Sequence, residues 1–421
     1  MRVFKFGGAS VSTVERIRQV GEIVREQSGS PLLIVVSAMG KTTNALEKVA
    51  EAFYAGKKEE ALQLFEAVKQ SHLTMAKYLL VKESIAADQE LLNFFTEVEW
   101  LLHDKPVREY DYYYDQIVCT GELLSTCIVS HYFREEGIPN TWFDVRDILR
   151  TDEHFREANI DFDFTAQQTE TRIKPALSGN GIVLTQGFIG ATQDNESTTL
   201  GREGSDYTAA VFANLLDAES VTIWKDVEGV MNADPKQFPD ATVMPELNYR
   251  EVIEMAYYGA QVIHPKTIKP IENKGIPLYV KSFIDPSLPG TCIRKQAVSG
   301  LPPVIVLKKN QVLLHLKSKD FSFVGEKPVA EFYLLAGKMQ LRPNLTQNGA
   351  ITFLCCMDDY GEKLDQLAHE AGAWFDVIVE KELSLLTIRH YDEPTVTRMI
   401  ARKDILLKQE TRETIQVLGR F

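Results

Sequence analysis

The chain lacks the features that mark secreted, membrane-spanning or disulfide-stapled proteins. Its five cysteines are an odd number and form no C-x-x-C pair, so we expect neither a disulfide framework nor a zinc site. No apolar run is long enough for a membrane span, and the N-terminus has no signal-peptide core. These absences predict a cytoplasmic protein with reduced thiols and no membrane partner.

Basic residues are also in deficit, with 46 Lys and Arg against 59 Asp and Glu and a formal net charge of −13. Nucleic acids and anionic membranes are bound by basic surfaces, so neither is expected as the main partner. Any anionic substrate must instead be met by local cations. At 421 residues the chain is long enough for two or three domains.

The first residues have a pattern that suits anion binding. A short β-type run containing Lys5 breaks at Gly7 and Gly8, and a helix then begins near the capping-box pattern of residues 12–15. Adjacent glycines let backbone N–H groups approach an anion, while Lys5 and the following helix N-terminus add positive charge. A surface lysine beside a simple turn explains these residues, taken alone, about equally well.

β-type and helical segments alternate over the first 300 residues. Residues 31–36, 139–145, 181–190 and 221–225 are predicted strands, and residues 43–103 are predicted to be helical. Such alternation predicts an α/β fold with a mostly parallel sheet covered by helices. The segment after residue 36 is similar to a P-loop, but Val35 stands where that motif needs glycine.

Two later stretches bring single charges into apolar or glycine-rich surroundings. Glu122 interrupts an apolar helical pattern, so it either faces solvent or meets a cation. Arg202 precedes an alanine-rich helix for which Ser205 or Asp206 is the predicted N-cap. Arginine is well shaped to grip a carboxylate or phosphate, although a surface ion pair is the plainer alternative.

A third charged stretch follows the strand at residues 221–225. Lys225 and Asp226 lie where a parallel strand ends, which is the edge at which open α/β sheets bind ligands. A solvated turn explains residues 234–236 well but explains Lys225 and Asp226, directly after Trp224, less well.

Taken together, these stretches resemble the amino-acid kinase family and, within it, the aspartate kinases. The motifs that carry the resemblance occur in family order over about residues 1–297: Lys5-Phe6-Gly7-Gly8, Ser37-Ala38-Met39, Gly121-Glu122-Leu123, Phe143-Asp144-Val145-Arg146, Gly201-Arg202 with Gly204-Ser205-Asp206, Lys225-Asp226-Val227, and Tyr258-Gly259-Ala260-Gln261 through Pro265. The resemblance implies phosphoryl transfer from ATP to the side-chain carboxylate of L-aspartate. This step opens lysine, threonine and methionine biosynthesis.

The resemblance also implies a role for each motif. Lys5, Gly7, Gly8 and Ser10 would hold the phosphates. Arg202 would bind a carboxylate of aspartate and Glu122 its ammonium group, with Asp206 orienting Lys5. The remaining implied positions are Ser37, Thr43 and Ser205 at the aspartate and Lys225, Asp226, Met231, Lys236 and Gln261 at the nucleotide. Mg²⁺ would be held by phosphate oxygens and water, so no metal ligand from the protein is expected.

Several positions depart from the family pattern. Glutamate replaces the usual glycine at Glu203, methionine replaces tyrosine at Met231, and glutamine replaces a lysine at Gln261. Because Lys225 stands where the family more often has threonine, we hypothesise that it supplies the cation missing at Gln261.

After a linker at residues 299–303 the sequence changes to an α+β pattern similar to a pair of ACT domains. We predict a catalytic domain over residues 1–298 and an ACT-like regulatory region over 304–421. Its first unit would span about 304–382, and the second, at 383–421, looks truncated because it has no closing helix. The resemblance implies a homodimer and an amino-acid effector. Feedback by lysine is doubtful, because Arg342 and Pro343 replace a Val-Asp pair of lysine-regulated relatives.

Two alternatives stay open at this stage. The chain could be a kinase of the same fold that acts on glutamate, N-acetylglutamate or a nucleoside monophosphate. It could also be a non-catalytic amino-acid sensor built on the ACT-like region, although a sensor has no need to keep Lys5, Arg202 and Asp206 together.

Overall fold

The structure is a computed structural model that describes residues 1–27, 29–260, 263–320 and 322–421. The chain divides into two compact units. The first contains Met1–Val230, Val243–Ile253 and Val262–Val298, and the second contains Met231–Thr242, Glu254–Gln261 and Ser299–Phe421. Among the described residues, no helix has both the length and the apolar character needed to cross a bilayer.

The strands are β1 (Arg2–Phe6), β2 (Leu32–Val36), β3 (Thr141–Phe143), β4 (Ile182–Gln186), β5 (Ile189–Ala191), β6 (Ser197–Thr199), β7 (Ser220–Lys225), β8 (Glu246–Asn248), β9 (Leu278–Ser282), β10 (Thr291–Arg294), β11 (Val304–Ser318), β12 (Pro343–Asn348), β13 (Thr352–Asp358), β14 (Phe375–Arg389), β15 (Asp404–Glu410) and β16 (Thr414–Arg420). The α-helices are α1 (Val14–Glu26), α2 (Thr42–Tyr54), α3 (Lys58–Leu79), α4 (Ser84–His103), α5 (Tyr110–Val118), α6 (Thr120–Glu135), α7 (Phe162–Gln168), α8 (Lys174–Ala176), α9 (Gly204–Leu215), α10 (Tyr249–Tyr257), α11 (Pro265–Glu272), α12 (Glu326–Lys338), α13 (Glu362–Ala371) and α14 (Glu393–Ile400).

The first unit is built on an eight-stranded sheet of order β3-β4-β2-β1-β7-β9-β10-β8. Every pair in it is parallel except β9 with β10, which confirms the predicted mostly parallel α/β architecture. All five residues of β2 are buried, as their continuous apolar run predicts. Helices α6 and α9 pack against the central strands.

This topology brings four motif regions to one edge of the sheet. Strand β1 pairs in parallel with β2 and β7, and β2 pairs in parallel with β4, so all four strands end at the same edge. The loops that follow β1 and β2 are bonded to each other, because the N–H of Ser37 donates to the carbonyl of Phe6 and that of Gly40 to the carbonyl of Gly8. Crevices at such an edge are where open α/β sheets bind ligands.

Several predicted boundaries in the first unit were wrong. The strand expected over residues 181–190 ends at Gln186, and residues 189–191 join β6 in a separate two-stranded sheet. Phe188 has a left-handed backbone (φ 72°) that no regular strand accepts. The connection expected over residues 146–174 contains α7, whose N-cap Asp161 accepts hydrogen bonds from two backbone N–H groups.

The second unit is a six-stranded antiparallel sheet of order β12-β13-β11-β14-β16-β15. Its helices α12 and α13 contribute to one apolar core with β11 and β13, centred on Phe332, Phe353 and Leu364. The alternation of strands and helices confirms the predicted α+β character of this region.

Two long strands join the two halves of this sheet. Strand β14 runs without a break from Phe375 to Arg389, so the predicted unit boundary at residue 383 falls inside it. The beginning of β11 pairs with the end of β14, from Val304 opposite Arg389 to Lys308 opposite Leu385. An early segment of the region therefore supplies a strand to its C-terminal half.

Candidate active site

The loop after β1 is a tight cradle around the amine of Lys5. A Cβ on Gly7 would lie 3.4 Å from the Lys5 Nζ, and one on Gly8 would lie 2.6 Å from the carbonyl oxygen of Ala38. Any side chain at position 8 would therefore push the two loops apart. The Ser10 hydroxyl is buried and has no hydrogen-bond partner among the described residues. The cradle thus holds a cation, open backbone and a free hydroxyl, which suits a phosphate group.

Lys5 forms a buried ion pair with Asp206 near the start of α9. Its Nζ lies 2.6 Å from Oδ1 of Asp206, and the two side chains are 12% and 4% exposed. Burial alone would raise the pKa of Asp206, but the charges of Lys5 and Lys225 outweigh it and hold that pKa below its usual value. Asp206 is therefore ionised at neutral pH and fixes the position of the amine.

Glu122 is a buried carboxylate that lacks a full set of partners. It lies in the first turn of α6, and its Oε2 has no hydrogen-bond partner among the described residues. Burial raises the pKa of Glu122 to about 8, although the backbone N–H of Ala38 and the charge of Lys5 act in the opposite direction. Because Glu122 is buried, the predicted alternative of a solvent-facing glutamate was wrong. A cation that binds beside it would stabilise the ionised carboxylate.

The segment before α9 exposes Arg202 on a strained backbone. Arg202 is exposed and has no ion-pair partner among the described residues, as a ligand-binding guanidinium requires. The helix begins at Gly204, so the predicted N-cap at Ser205 or Asp206 was wrong. The residue at the N-cap is Glu203, which has a left-handed backbone (φ 52°) and uses its carboxylate to accept the N–H of His264 at 2.9 Å.

The other residues predicted to bind the substrate aspartate lie at the same edge of the sheet. Ser205 is buried against the turn after β4, because a Cβ on Gly187 would lie 2.6 Å from it. Ser37 follows β2, and its carbonyl accepts the Ser125 hydroxyl of α6 at 2.7 Å. Thr43 lies half-buried in the first turn of α2.

The predicted nucleotide residues are divided between the units. Lys225 ends β7 half-buried in the first unit, and Asp226 beside it is exposed. Met231 is half-buried and Lys236 is exposed, and both belong to the second unit. Gln261 lies outside the residues that the structure describes.

Sequence reasoning missed a buried aspartate that supports the Arg202 loop. Asp115 on α5 accepts the backbone N–H groups of Arg156 and Thr199 and the Thr199 hydroxyl at 2.7 to 2.9 Å. A Cβ on Gly201, which has φ 74°, would lie 3.2 Å from the Arg156 carbonyl oxygen. The backbone before Arg202 therefore runs close to the backbone at Arg156. Burial raises the pKa of Asp115 to about 6 despite these bonds. An aspartate within an aromatic run was the available signal.

One edge of the sheet carries both a cradle suited to an anion and a buried carboxylate suited to a cation. Lys5, Asp206 and the glycine loop form an anion cradle, and Glu122 is electrostatically coupled to the same lysine. An anion and a cation of bound ligands can therefore be held next to each other. Among the described residues of this cradle no histidine or thiol is placed for acid-base or covalent chemistry, which suits transfer to an acceptor that is already ionised.

Comparisons with known proteins agree with this geometry. The amino acid kinase family matches residues 1–282. Lysine-sensitive aspartokinase 3 of Escherichia coli is 31% identical over 397 residues, which cover 92% of this chain and 86% of the relative. Crystal structures of E. coli aspartokinase III with aspartate and ADP, and with lysine and aspartate, superpose with a TM-score of 0.83 at 28% identity, covering 100% of this chain and 96% of each. The chain therefore belongs to the amino acid kinase family and, within it, to the aspartokinases.

Proposed function

We propose that this aspartokinase transfers the γ-phosphoryl group of ATP directly to the side-chain carboxylate of L-aspartate, giving 4-phospho-L-aspartate and ADP. The observation that carries the proposal is the buried, incompletely bonded Glu122 beside the Lys5–Asp206 pair. A substrate with both an ammonium group and a carboxylate satisfies the two at once. Since a carboxylate with a pKa of about 4 is ionised at neutral pH, no base is needed to activate it.

The reaction then depends on positioning and charge. Lys5 approaches the γ-phosphoryl oxygens, and the N–H groups near Gly7 and Gly8 and the Ser10 hydroxyl bind phosphate oxygens. Glu122 binds the ammonium group of aspartate and Arg202 a carboxylate. Alignment of two anions for in-line transfer, with the charge of the transferred group neutralised, is what this reaction class requires. Ser37, Thr43 and Ser205 line the aspartate site.

On the nucleotide side we propose Lys225, Asp226, Met231, Lys236 and Gln261, with Lys225 in place of the lysine that the family usually has at Gln261. The Asp206 carboxylate is already engaged by Lys5, so it is poorly suited to ligate a metal. No protein side chain is therefore expected to ligate Mg²⁺, which would be held by phosphate oxygens and water and would neutralise phosphate charge when bound.

For the whole chain we propose a cytoplasmic homodimer assembled through the ACT-like region, which also binds an amino-acid effector. The E. coli relative has been crystallised with lysine. Here Pro343 begins β12 and Arg342 precedes it, at the position where the family resemblance leads us to expect a Val-Asp pair in lysine-regulated enzymes. We therefore propose an effector other than lysine, in an enzyme that opens lysine, threonine and methionine biosynthesis.

A substrate panel tests the proposed reaction. We expect ADP formation with L-aspartate to exceed that with N-acetyl-L-glutamate and with a nucleoside monophosphate about 10- to 100-fold, because both lack the ammonium group and one lost charged contact costs about 1.5–3 kcal/mol. L-Glutamate keeps every charge, but its longer side chain moves the acceptor carboxylate out of line, so we expect it to react more slowly than L-aspartate as well. N-acetyl-L-aspartate is the matched probe, since it keeps both carboxylates and lacks only the ammonium group. Equal turnover of the two aspartates would contradict the role of Glu122, and ATP binding without turnover of any acceptor would favour the sensor.

Arg202→Ala separates this reaction from the alternatives. We expect its KM for aspartate to rise about tenfold or more with a smaller change in the KM for ATP, because a charge-assisted contact to one substrate is lost. Arg18→Ala, on the exposed side of α1, is the control. A rise confined to the KM for ATP would place Arg202 at the nucleotide instead.

A further inference from the structure

A group of metal-ligating side chains lies between α4 and α6, on residues that the kinase reaction does not use. Cys127 and His131 are four residues apart on α6, so they project from the same face of the helix. Glu90 faces them from α4. The three ligand atoms, a thiol sulfur, a ring nitrogen and a carboxylate oxygen, all lie within 4.8 Å of one another.

The histidine ring in this group is held as metal-ligating imidazoles are held. Its Nε2 lies 2.9 Å from Glu90, inside the cluster, and its Nδ1 lies 2.9 Å from the carboxylate of Glu83, outside it. In metal sites a second carboxylate at the far ring nitrogen fixes the orientation and tautomer of the ligand. Glu83 stands in that position. On the other side of the ring, Nε2 and Glu90 make a direct hydrogen bond, which a metal ion bound by both groups would replace.

The two helices are also locked together beside the cluster. Glu135, one turn after His131, accepts backbone N–H bonds from Val81 and Lys82, which precede α4, at 2.8 to 3.1 Å. The ligands on α6 therefore cannot drift away from Glu90 without breaking these bonds. A site whose helices are fixed before a ligand arrives loses less entropy on binding it.

The cluster is buried on one side and open on the other. Cys127 and His131 are 1% and 2% exposed, whereas the side chain of Glu90 is 33% exposed. Glu90 is therefore the member of the cluster that solvent reaches. Removal of the thiol proton is opposed by burial and by the charge of Glu90, which raise the pKa of Cys127, and a bound divalent cation reverses both effects.

We propose that Cys127, His131 and Glu90 form a binding site for a divalent transition-metal ion, with Zn²⁺ as the best match. One sulfur, one nitrogen and one carboxylate oxygen are ligands that Zn²⁺ accepts in tetrahedral geometry, leaving the fourth position to water. This site is separate from the Mg²⁺ that accompanies ATP, because hard Mg²⁺ avoids sulfur. Sequence spacing argued against zinc because it considered cysteine pairs, whereas this set combines one cysteine with residues from two helices.

Cobalt substitution tests the site in the full chain. After treatment with a chelator, Co²⁺ should bind in a 1:1 ratio with a thiolate-to-cobalt charge-transfer band, and Zn²⁺ should abolish the band. Cys127→Ser should remove the band, and Cys292→Ser, which changes the least buried of the five thiols, should keep it. A band that survives in Cys127→Ser, or no stoichiometric binding in the unchanged protein, overturns the proposal.

A second variant separates the site from a failure to fold. Glu83→Gln leaves all three ligands in place and should weaken Co²⁺ binding about 10- to 100-fold, as loss of an outer carboxylate does in metal sites. Aspartate turnover by Glu83→Gln and Cys127→Ser without added Co²⁺ reports that both are folded. The proposal is overturned if folded Glu83→Gln binds Co²⁺ as tightly as the original protein and Zn²⁺ does not change the thermal stability of the original protein. The cluster would then be a buried network of ion pairs without a metal.

Discussion

The two carboxylates of the candidate active site, Asp206 and Glu122, are both buried, but their electrostatic surroundings differ. Asp206 has its counter-ion within the protein, the amine of Lys5 at 2.6 Å, and its pKa is lowered. Glu122 keeps an unbonded oxygen, and its pKa is raised to about 8. In the proposed site, the protein therefore supplies the partner of Asp206 itself, whereas the partner of Glu122 would come from the bound amino acid.

Removing the amine of Lys5, the partner of Asp206, should have the largest effect on activity and stability. Lys5→Ala should lower kcat about a hundred- to a thousandfold, because it deletes a charge aimed at the transferred phosphoryl group. It should also reduce the free energy of unfolding by about 3 kcal/mol, since Asp206 would remain buried and unpaired. Steady-state kinetics and urea unfolding measure the two effects, with exposed Lys48→Ala on α2 as the control.

The double variant Lys5→Ala with Asp206→Asn sharpens this result. We expect it to recover part of the lost stability and none of the lost activity. If Lys5→Ala alone keeps its full stability, the Lys5–Asp206 pair does not stabilise the contact between β1 and α9. The proposed difference between Asp206 and Glu122 would then be wrong.

Glu122→Gln should trade affinity for stability. Its KM for aspartate should rise about 10- to 100-fold through loss of the charged partner of the ammonium group. Without ligand, its unfolding free energy at pH 7.5 should exceed that of the unchanged protein by about 1–3 kcal/mol, because glutamine has no charge to desolvate. Exposed Glu22→Gln is the control, and a loss of stability would show that Glu122 is already satisfied.

The pH dependence separates the two carboxylates directly. The folded-state pKa of Glu122 lies above its unfolded value, so its contribution to stability is complete below about pH 4.5 and is lost as pH rises through about 8. Aspartate binding follows the opposite course, because it needs the ionised form. The KM for aspartate should rise up to about tenfold per pH unit below 8, and Glu122→Gln should abolish this dependence.

Lys225→Ala tests the second positive charge that acts on Asp206. Its charge contributes to the lowered pKa of Asp206. We expect the KM for ATP to rise about tenfold, equivalent to about 1.4 kcal/mol, with little change in the KM for aspartate. An unchanged dependence of rate on ATP would reject the idea that Lys225 replaces the lysine missing at Gln261.

The smallest effect concerns Glu203, next to Arg202 on the amino-acid side. Glu203→Ala keeps the left-handed backbone strain and loses the bond to His264, whereas Glu203→Gly loses the bond and removes the strain. The glycine variant should therefore be the more stable of the two by about 1 kcal/mol. Equal midpoints in thermal unfolding would show that the loop relaxes when the side chain is lost.

Sequence reasoning succeeded where local pattern and chemistry agree. The apolar run of β2 predicts its buried strand, and the glycines at positions 7 and 8 predict the break that ends β1 at Phe6. It failed where distant contacts decide. The break at Phe188, the N-cap at Glu203, which comes earlier than predicted, and the short strands β8 to β10 depend on neighbours that are far away in sequence. Family resemblance gave the identities of Glu122 and Arg202, and burial explained why Glu122 needs a ligand.

The pairing of the beginning of β11 with the end of β14 also constrains how the C-terminal unit can form during synthesis. Residues 304–308 leave the ribosome about 80 residues before their partners at 385–389, and β14 in turn pairs with β16 near the chain end. Long-range pairings of this kind form slowly and leave strand edges exposed while they wait. The nascent chain therefore carries an unpaired apolar segment, residues 304–307, through most of the unit's translation.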